Sequence, residues 1–247
     1  GLLAGAAVMP LARAGASLTP VWLLTVVVLP WLPLPVRPVF LMWAGSIRWL
    51  IWTAVALIMI ATYPGAPRLL ARARSLVRNQ PQVAAGVFAF AIFAFAAWQV
   101  SPSVPGGDEP HYLVITQSLL LDGDLKIENN HRRGDYQAYY AGPLAPHYIR
   151  RGTDGEIYSI HAPGLAAIVA PAFAIGGYRA VVLLLLVIAS CGSALAWHLA
   201  WQASGRVAAA WFGWAAVTLA ATTIFHSFTV YPDGPASVIA LTGVWAL

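Results

Sequence analysis

The stretch VAAGVFAFAIFAFAAWQV, from Val83 to Val100, decides the class of this protein. It contains no charged residue and is long enough for a helix to cross a hydrocarbon core of about 30 Å. A strand of an outer-membrane barrel would alternate apolar and polar side chains over about ten residues. This run is apolar on every face, so it predicts a membrane-spanning α-helix.

The composition of the whole chain agrees with that prediction. Of its 247 residues, 60% are hydrophobic and 9% are charged, and the mean hydropathy is +0.71. Soluble proteins carry about 25% charged residues. The 11 tryptophans fit side chains that lie at membrane–water interfaces. The predicted fold class is therefore an all-α polytopic membrane protein.

Other apolar runs predict further membrane spans. Each is long enough to cross a bilayer, and Arg48, which interrupts one of them, is interpreted as an interfacial anchor. The additional spans are expected near 18–34 and over 39–63, 178–201 and 207–224.

The run 165–175 is too short for a full span and predicts a partial or interfacial helix that ends at Gly176 and Gly177. A last helix is expected to start near Pro235. The chain does not begin with Met, and it stops at Leu247 within an apolar run. We therefore expect a fragment that is truncated at its C-terminal end.

The formal charge of +5 is sorted along the chain. Eight of the nine acidic residues lie within 108–156 beside five basic residues, which gives that window a net charge of −3. Residues 67–78 hold four arginines and no acid, and such loops are retained on the cytoplasmic side. The span 83–100 is then expected to run outward, with 101–162 as an extracytoplasmic loop. Charge sorted across a membrane predicts no nucleic-acid partner.

The polar loop opens with PGGDEPHY, from Pro105 to Tyr112. Asp108 is expected to be an N-cap, with Glu109 and Pro110 in the first helical turn. Apolar residues then recur at three-to-four spacing, which predicts a short helix lying on the membrane surface and ending at the turn 122–124. These residues are Tyr112, Leu113, Thr116, Leu119 and Leu120.

Adjacent carboxylates where a helix leaves the bilayer can act as a general base or bind a metal. The alternative is that Asp108 only caps the helix. Asp233, at the start of a membrane helix, also has two interpretations: it faces a polar cavity, or it only caps the helix. Nearby basic residues would either bind a phosphate group or contact lipid headgroups. They are Arg132, Arg133, Arg150, Arg151 and His161.

Five histidines, at positions 111, 131, 147, 161 and 226, lie in or beside the polar segments. No two of them have the i, i+4 spacing of a helical metal site, and no cysteine is nearby. The spacing therefore predicts no histidine metal cluster. A divalent metal is compatible with the carboxylates but has no support in the sequence, so no cofactor is predicted.

Three motifs, in this order, resemble those of GT-C glycosyltransferases. The closest branch contains the protein O-mannosyltransferases and the aminoarabinose transferase of lipid A. DEPHY at 108–112, followed by LLLDGDL at 119–125, is similar to the Asp-Glu pair after the first core span of that branch. YSIHAPGL at 158–165 is similar to its Lys-Pro-Pro-Leu-type motif, with His161 at the lysine position. YPD at 231–233 resembles an aspartate that starts a later helix.

The resemblance covers about residues 83–247. It implies a GT-C-like helical bundle whose first extracytoplasmic loop, 101–162, carries short surface helices. The catalytic core would then be 81–247, preceded in 1–80 by additional membrane helices and the Arg-rich loop. By the same resemblance Asp108 is the base, and Glu109 and Asp233 orient the acceptor or the base. Together with the charge argument above, it gives the expected substrate contacts as His111, Tyr112, Arg150, Arg151, His161 and Tyr231.

The activity implied is inverting transfer of a sugar from a polyprenyl phosphate to a lipid, glycan or protein acceptor. It would take place among membrane lipids at the periplasmic face of a bacterial inner membrane, and this branch generally uses no metal. Two alternatives stay open. A transporter or flippase with a carboxylate-lined cation or proton site would show acids in mid-span and inverted repeats. A non-catalytic membrane scaffold would make no special demand on Asp108.

Overall fold

The computed structural model describes residues 48–62, 65–101 and 105–247. The chain divides into two compact units after Ser75. The boundary expected from the sequence was after residue 80, five residues further along. The span predicted near 18–34 lies outside the described residues.

The first unit contains helix α1, Arg48–Thr62, which covers the described part of the span predicted over 39–63. Helix α2, Ala66–Asn79, crosses the division between the units. The Arg-rich segment 67–78, predicted as a loop, is therefore helical. Alanine, leucine and arginine are among the strongest helix formers, which explains this conformation.

The second unit consists of helices joined by one long loop. No strand occurs in the described residues, apart from a single antiparallel bridge between Lys126 and Tyr158. The prediction of an all-helical fold is confirmed for this part of the chain. The helices are α3 Pro81–Val100, α4 Glu109–Gln117, a π-helical turn Ser118–Asp122, α5 Glu128–Arg133, a 3-10 turn Asp135–Ala138, α6 Gly164–Ser204, α7 Val207–Thr218, α8 Ala221–His226 and α9 Asp233–Ala246.

Two of the described helices, α3 and α6, are long and apolar enough to cross a membrane. Helix α6 has 41 residues but is interrupted at Gly176 (φ −151°, ψ 23°) and Gly177 (φ 59°, ψ −151°). The partial helix expected over 165–175 is thus present as a separate first piece. At about 1.5 Å per residue it extends for about 18 Å, which is shorter than a bilayer core of about 30 Å.

The segment 207–224, predicted as one span, is not a continuous helix, because the helix breaks between α7 and α8. Ala220 is extended, with φ −62° and ψ 133°, and this ends the helical hydrogen bonding. Neither glycine nor proline stands at the break, so nothing in the local sequence marks it. The helix expected near Pro235 begins two residues earlier, at Asp233.

The apolar core of the second unit holds α3, α6 and α7 together. The buried indole of Trp214 on α7 donates a hydrogen bond to the carbonyl of Ala85 on α3, at 3.0 Å. Buried apolar side chains of all three helices surround this contact: Ala89, Phe93, Leu186, Trp197 and Ala210.

Helix α4 is buried on nearly all sides, so the prediction that it lies on the membrane surface is wrong. Leu113 packs against Val181 and Leu185 of α6, while Val114 and Ile115 pack against residues of the loop itself. The three-to-four spacing of apolar residues predicted one apolar face of α4, whereas two of its faces are buried. The start of α4 is therefore rigidly placed, and Asp108 and Glu109 lie there.

Candidate functional site

Glu109 is buried and ties the start of α4 to the segment that precedes α9. Its side chain is 1% exposed. Oε1 accepts a hydrogen bond from the N–H of Gly106 at 3.0 Å, and Oε2 accepts one from the N–H of Val230 at 2.7 Å. Burial raises the pKa of this carboxyl, and the two backbone hydrogen bonds oppose that rise. Because both oxygens are engaged, Glu109 is a positioning residue in this geometry.

Tyr231 makes a second tie between the same two segments. Its Oη accepts a hydrogen bond from the N–H of Asp108 at 3.2 Å. Gly107 has a φ of +58°, and a Cβ on it would lie 2.5 Å from Tyr231 Oη. Only glycine fits there without displacing the tyrosine. Tyr231, expected to bind substrate, uses its hydroxyl to hold the backbone of Asp108.

The carboxylate of Asp108 is directed away from its own helix. Asp108 occupies the N-cap position of α4, yet no side-chain cap bond forms among the described residues of that helix. Its side chain is 47% exposed, and Oδ1 lies 3.6 Å from His147 Nδ1 and 3.9 Å from His161 Nε2. The two imidazole nitrogens are 3.1 Å apart, so one donates a hydrogen bond to the other.

Two more histidines complete what we call the Asp108 cluster, which consists of Asp108, His111, His131, His147 and His161. The ring centroid of His111 lies 4.7 Å from that of His147, 5.7 Å from that of His161 and 6.4 Å from that of His131. The sequence predicted no histidine metal cluster from the i, i+4 criterion, which applies within one helix and does not report on histidines brought together from separate segments. These histidines come from four separate segments, two of which are joined by the hydrogen bond from Ile160 N–H to His147 O at 3.0 Å.

Three of these histidines are held neutral. Burial, followed by the charges of His147, His161 and His131, lowers the pKa of His111 to about 4, against the influence of Asp108. Burial also lowers the pKa of His161 and of His131. At neutral pH His161 therefore offers a hydrogen-bonding or ligating nitrogen and not the cation expected for a phosphate contact.

Tyr112 links this cluster to Asp233. Its ring centroid lies 4.7 Å from that of His161. Burial raises the pKa of Tyr112, and the charges of Asp108, Asp233 and Tyr231 act in the same direction. Asp108 and Asp233 thus lie within electrostatic range of one hydroxyl.

Asp233 itself is exposed at the first position of α9, a helix whose described residues include no side-chain cap bond. It lines a largely apolar cavity of about 510 Å³ formed by α6, α8 and α9. The N-cap interpretation of Asp233 is therefore not supported, because Pro232 occupies the cap position, and the cavity that Asp233 lines is not the polar one that the alternative interpretation expected.

Three of the four arginines expected to bind phosphate are paired with carboxylates, and two of the three share Glu128. Arg151 contacts Glu128 through two nitrogens, at 2.7 and 2.9 Å. Arg132 lies 3.9 Å from the same carboxylate. Arg150 is exposed and forms no ion pair with the residues that the structure describes.

Arg133 belongs to a compact ionic group, called the Arg133 cluster, formed by Asp122, Asn130, Arg133 and Asp135. Arg133 Nη2 lies 2.6 Å from Asp122 Oδ2 and 2.8 Å from Asp135 Oδ2. The fully buried Asn130 donates to both carboxylates, at 3.0 and 2.9 Å. Arg133 therefore holds the loop together and is not free for a substrate phosphate.

Sequence reasoning missed two residues that the geometry brings forward. His147 contacts both Asp108 and His161, and its only signal was the density of histidines, four of the six lying within 111–161. Arg179 follows the break in α6, is exposed, and lines a second cavity of about 420 Å³ with Tyr139 and Tyr178. No motif indicated it.

These observations define a class of protein that, over the residues described, is all-helical, with two helices long and apolar enough to span a membrane and a loop site built around Asp108. Comparison of the chain with protein-family models, with curated proteins and with solved structures gave no match. The resemblance carried by the three motifs therefore stays a prediction.

Proposed function

We propose that this protein is an inverting glycosyltransferase of the GT-C type. It would move a sugar from a polyprenyl phosphate to a lipid, glycan or protein acceptor. The observation that carries the proposal is the meeting of three sequence-distant motifs at one residue. His161 of YSIHAPGL lies 3.9 Å from the Asp108 carboxylate, and Tyr231 of YPD binds the Asp108 backbone at 3.2 Å.

The half-exposed carboxylate of Asp108 suits a general base, because a base must reach the acceptor hydroxyl. In the proposed reaction Asp108 takes the hydroxyl proton while the acceptor oxygen bonds to the anomeric carbon of the sugar. The bond from that carbon to the phosphate oxygen breaks, and polyprenyl phosphate leaves as an anion. No second carboxylic acid is required, in contrast to glycoside hydrolysis.

Arg150 and Arg179 are the proposed contacts for the phosphate. Both are exposed, and neither forms an ion pair with the described residues, whereas Arg133 and Arg151 are occupied by carboxylates. A guanidinium matches phosphate oxygens through paired N–H donors. Arg179 has the additional support of lining a cavity beside Tyr178. Glu109 holds Asp108 in place and takes no direct part in this scheme.

The test replaces Asp108 with asparagine in the full-length protein. Because a positioned base contributes about 10²–10⁴-fold, Asp108→Asn is expected to reduce sugar transfer at least about 100-fold. Membranes that contain the protein would receive radiolabelled polyprenyl-phosphate sugars, and label would be counted in lipid, glycan and protein fractions.

The matched control is Glu156→Gln, which makes the same chemical change at an exposed ion pair with Lys126. It is expected to leave transfer unchanged, since exposed pairs contribute little. Wild-type transfer by Asp108→Asn at normal protein levels would contradict the proposal. Ion flux that depends on Asp108, without any sugar transfer, would favour the transporter alternative instead.

We further propose that α3 and α6 cross the bacterial inner membrane in a multi-pass protein and that the Asp108 cluster lies on the periplasmic face. The arginines of α2 support this orientation. Single cysteines introduced at Ile149, 87% exposed in the loop, and at Ser204, exposed at the far end of α6, test it in a Cys191→Ser background. In intact spheroplasts a membrane-impermeant maleimide should label only position 149. Labelling of 204 alone would reverse the orientation.

A further inference from the structure

We infer that Asp108, His147 and His161 form a binding site for one first-row divalent metal ion of the zinc type. The three ligand atoms would be Asp108 Oδ1, His147 Nδ1 and His161 Nε2. This inference does not rest on the proposed transferase activity, because it concerns the ligand set alone.

The spacing of the three atoms carries the inference. They form a triangle with sides of 3.1, 3.6 and 3.9 Å. The circumradius of that triangle is about 2.1 Å, so a single point lies at that distance from all three atoms. Zinc binds imidazole nitrogen at about 2.0–2.1 Å and carboxylate oxygen at about 2.0–2.2 Å. The side chains therefore already stand at coordination distance from a common centre.

Hydrogen bonding accounts for only one side of the triangle, the 3.1 Å between His147 Nδ1 and His161 Nε2. Asp108 Oδ1 is 3.6 and 3.9 Å from the two nitrogens, beyond the range of about 2.7–3.2 Å for an N–H···O hydrogen bond. A carboxylate that served to orient these imidazoles would lie closer. The 3.6 Å distance equals the upper end of the separation of two ligands of one tetrahedral ion, about 3.3–3.6 Å for bonds of the length given above, and the 3.9 Å distance exceeds it by about 0.3 Å.

Buried polar atoms next to the triangle give a second, independent observation. His111 Nδ1 and His131 Nε2 are both buried, and neither has a hydrogen-bond partner in the described part of the chain. Such atoms are rare in folded proteins and point to a missing ligand or water. The His111 ring is the one nearest to His147, at 4.7 Å. His111 is placed to act as an outer-shell partner of the ion or of its bound water, since its ring lies 4.7 Å from that of His147 and 5.7 Å from that of His161.

The ligand types select the class of metal. Two imidazole nitrogens and one carboxylate oxygen suit zinc and its first-row neighbours, whereas magnesium and calcium prefer oxygen ligands alone. Three protein ligands leave a further coordination position open, as in catalytic zinc sites. The side chains of Asp108 and His147 are 47% and 45% exposed, so solvent or a ligand can reach that position. Asp108 Oδ2 stays free for other chemistry.

The test measures zinc binding to the purified full-length protein in detergent after chelator treatment. Titration with zinc chloride alone is expected to give one ion per chain, by calorimetry and by elemental analysis. His147→Ala and His161→Ala should each weaken binding by more than about 100-fold, since outer-shell changes alone cost about 10–100-fold. Excess magnesium chloride should not displace the zinc.

The control is His198→Ala, because His198 lies within α6 with its ring against Trp201 and outside the Asp108 cluster. It should bind zinc as the wild type does. Circular dichroism and gel filtration identify any variant that fails to fold, and Asp108→Asn then replaces it as the ligand variant. Absence of zinc binding by the wild type would overturn the inference. Equal binding by the folded His147→Ala/His161→Ala double variant would also overturn it. The experiment measures the number of zinc ions bound per chain and not sugar transfer. Its result is therefore independent of whether the transferase proposal is correct.

Discussion

The loop between α3 and α6 contains two charged clusters of opposite character. In the Arg133 cluster two carboxylates share one guanidinium and one buried amide, and the contacts run from 2.6 to 3.3 Å. In the Asp108 cluster the carboxylate faces imidazoles at 3.6 and 3.9 Å. The first cluster is satisfied by the protein itself. The second lacks a positive partner among the described residues, which is what a ligand-binding group requires.

Among the variants that test this comparison, removal of the Glu109 side chain should reduce stability the most, because Glu109 fixes the backbone on which Asp108 lies. Glu109→Ala leaves the buried N–H of Val230 and the half-buried N–H of Gly106 without an acceptor. Each such group costs about 1–3 kcal/mol, so the variant should lose about 3 kcal/mol of stability. Thermal and denaturant unfolding in detergent would measure the loss.

Glu109→Gln serves as the control for that variant. It keeps one oxygen acceptor and should be less destabilised than the alanine variant. An unfolding midpoint of Glu109→Ala equal to that of the wild type would show that the two ties to the segment before α9 do not hold the site.

The Arg133 cluster should give a smaller effect that depends on pH. The pKa of Asp122 is lowered, and the largest cause is the hydrogen bond that its carboxylate accepts from Arg133. A lowered pKa means that the stabilising contribution is present above the unfolded pKa of aspartate, about 3.9, and is lost as the pH falls through the folded value. Arg133→Ala should therefore lower the unfolding midpoint at pH 7, and the difference from the wild type should shrink as the pH falls toward about 2.

The same variant sharpens the comparison between the clusters. Arg133→Ala should bind zinc with wild-type affinity, because Arg133 contacts none of the three proposed ligands. A large loss of zinc affinity in Arg133→Ala would mean that the two clusters are one coupled site.

The sequence predicted the helices correctly where a local feature, such as an apolar run or a pair of glycines, determines where a helix begins or ends. The apolar run 83–100 becomes α3, and the pair Gly176–Gly177 breaks α6 where the partial helix was expected to end. Both outcomes depend on residues that are neighbours in the chain. The break at Ala220 shows the limit of this approach, since the local sequence there continues to favour a helix.

The candidate site was readable only in part, because its contacts are distant in sequence. Asp108 was identified by its position after a span and by its motif. Its partners His147 and Tyr231 depend on how the loop and the segment before α9 fold back, and no spacing rule reports that. The partners of Arg133 and Arg151 were missed for the same reason. Since carboxylates and arginines pair at many separations, their types alone do not show which are free.

The bond between Glu109 and Val230 also has a consequence for the order of assembly. The two residues are 121 positions apart. A ribosome that adds about 5–20 residues per second makes Val230 about 6–24 s after Glu109. Throughout that interval the Glu109 carboxylate lacks the amide of Val230 and the Asp108 backbone lacks the hydroxyl of Tyr231. The site is thus completed late in synthesis, and a growing chain displays no finished binding centre until the segment before α9 emerges.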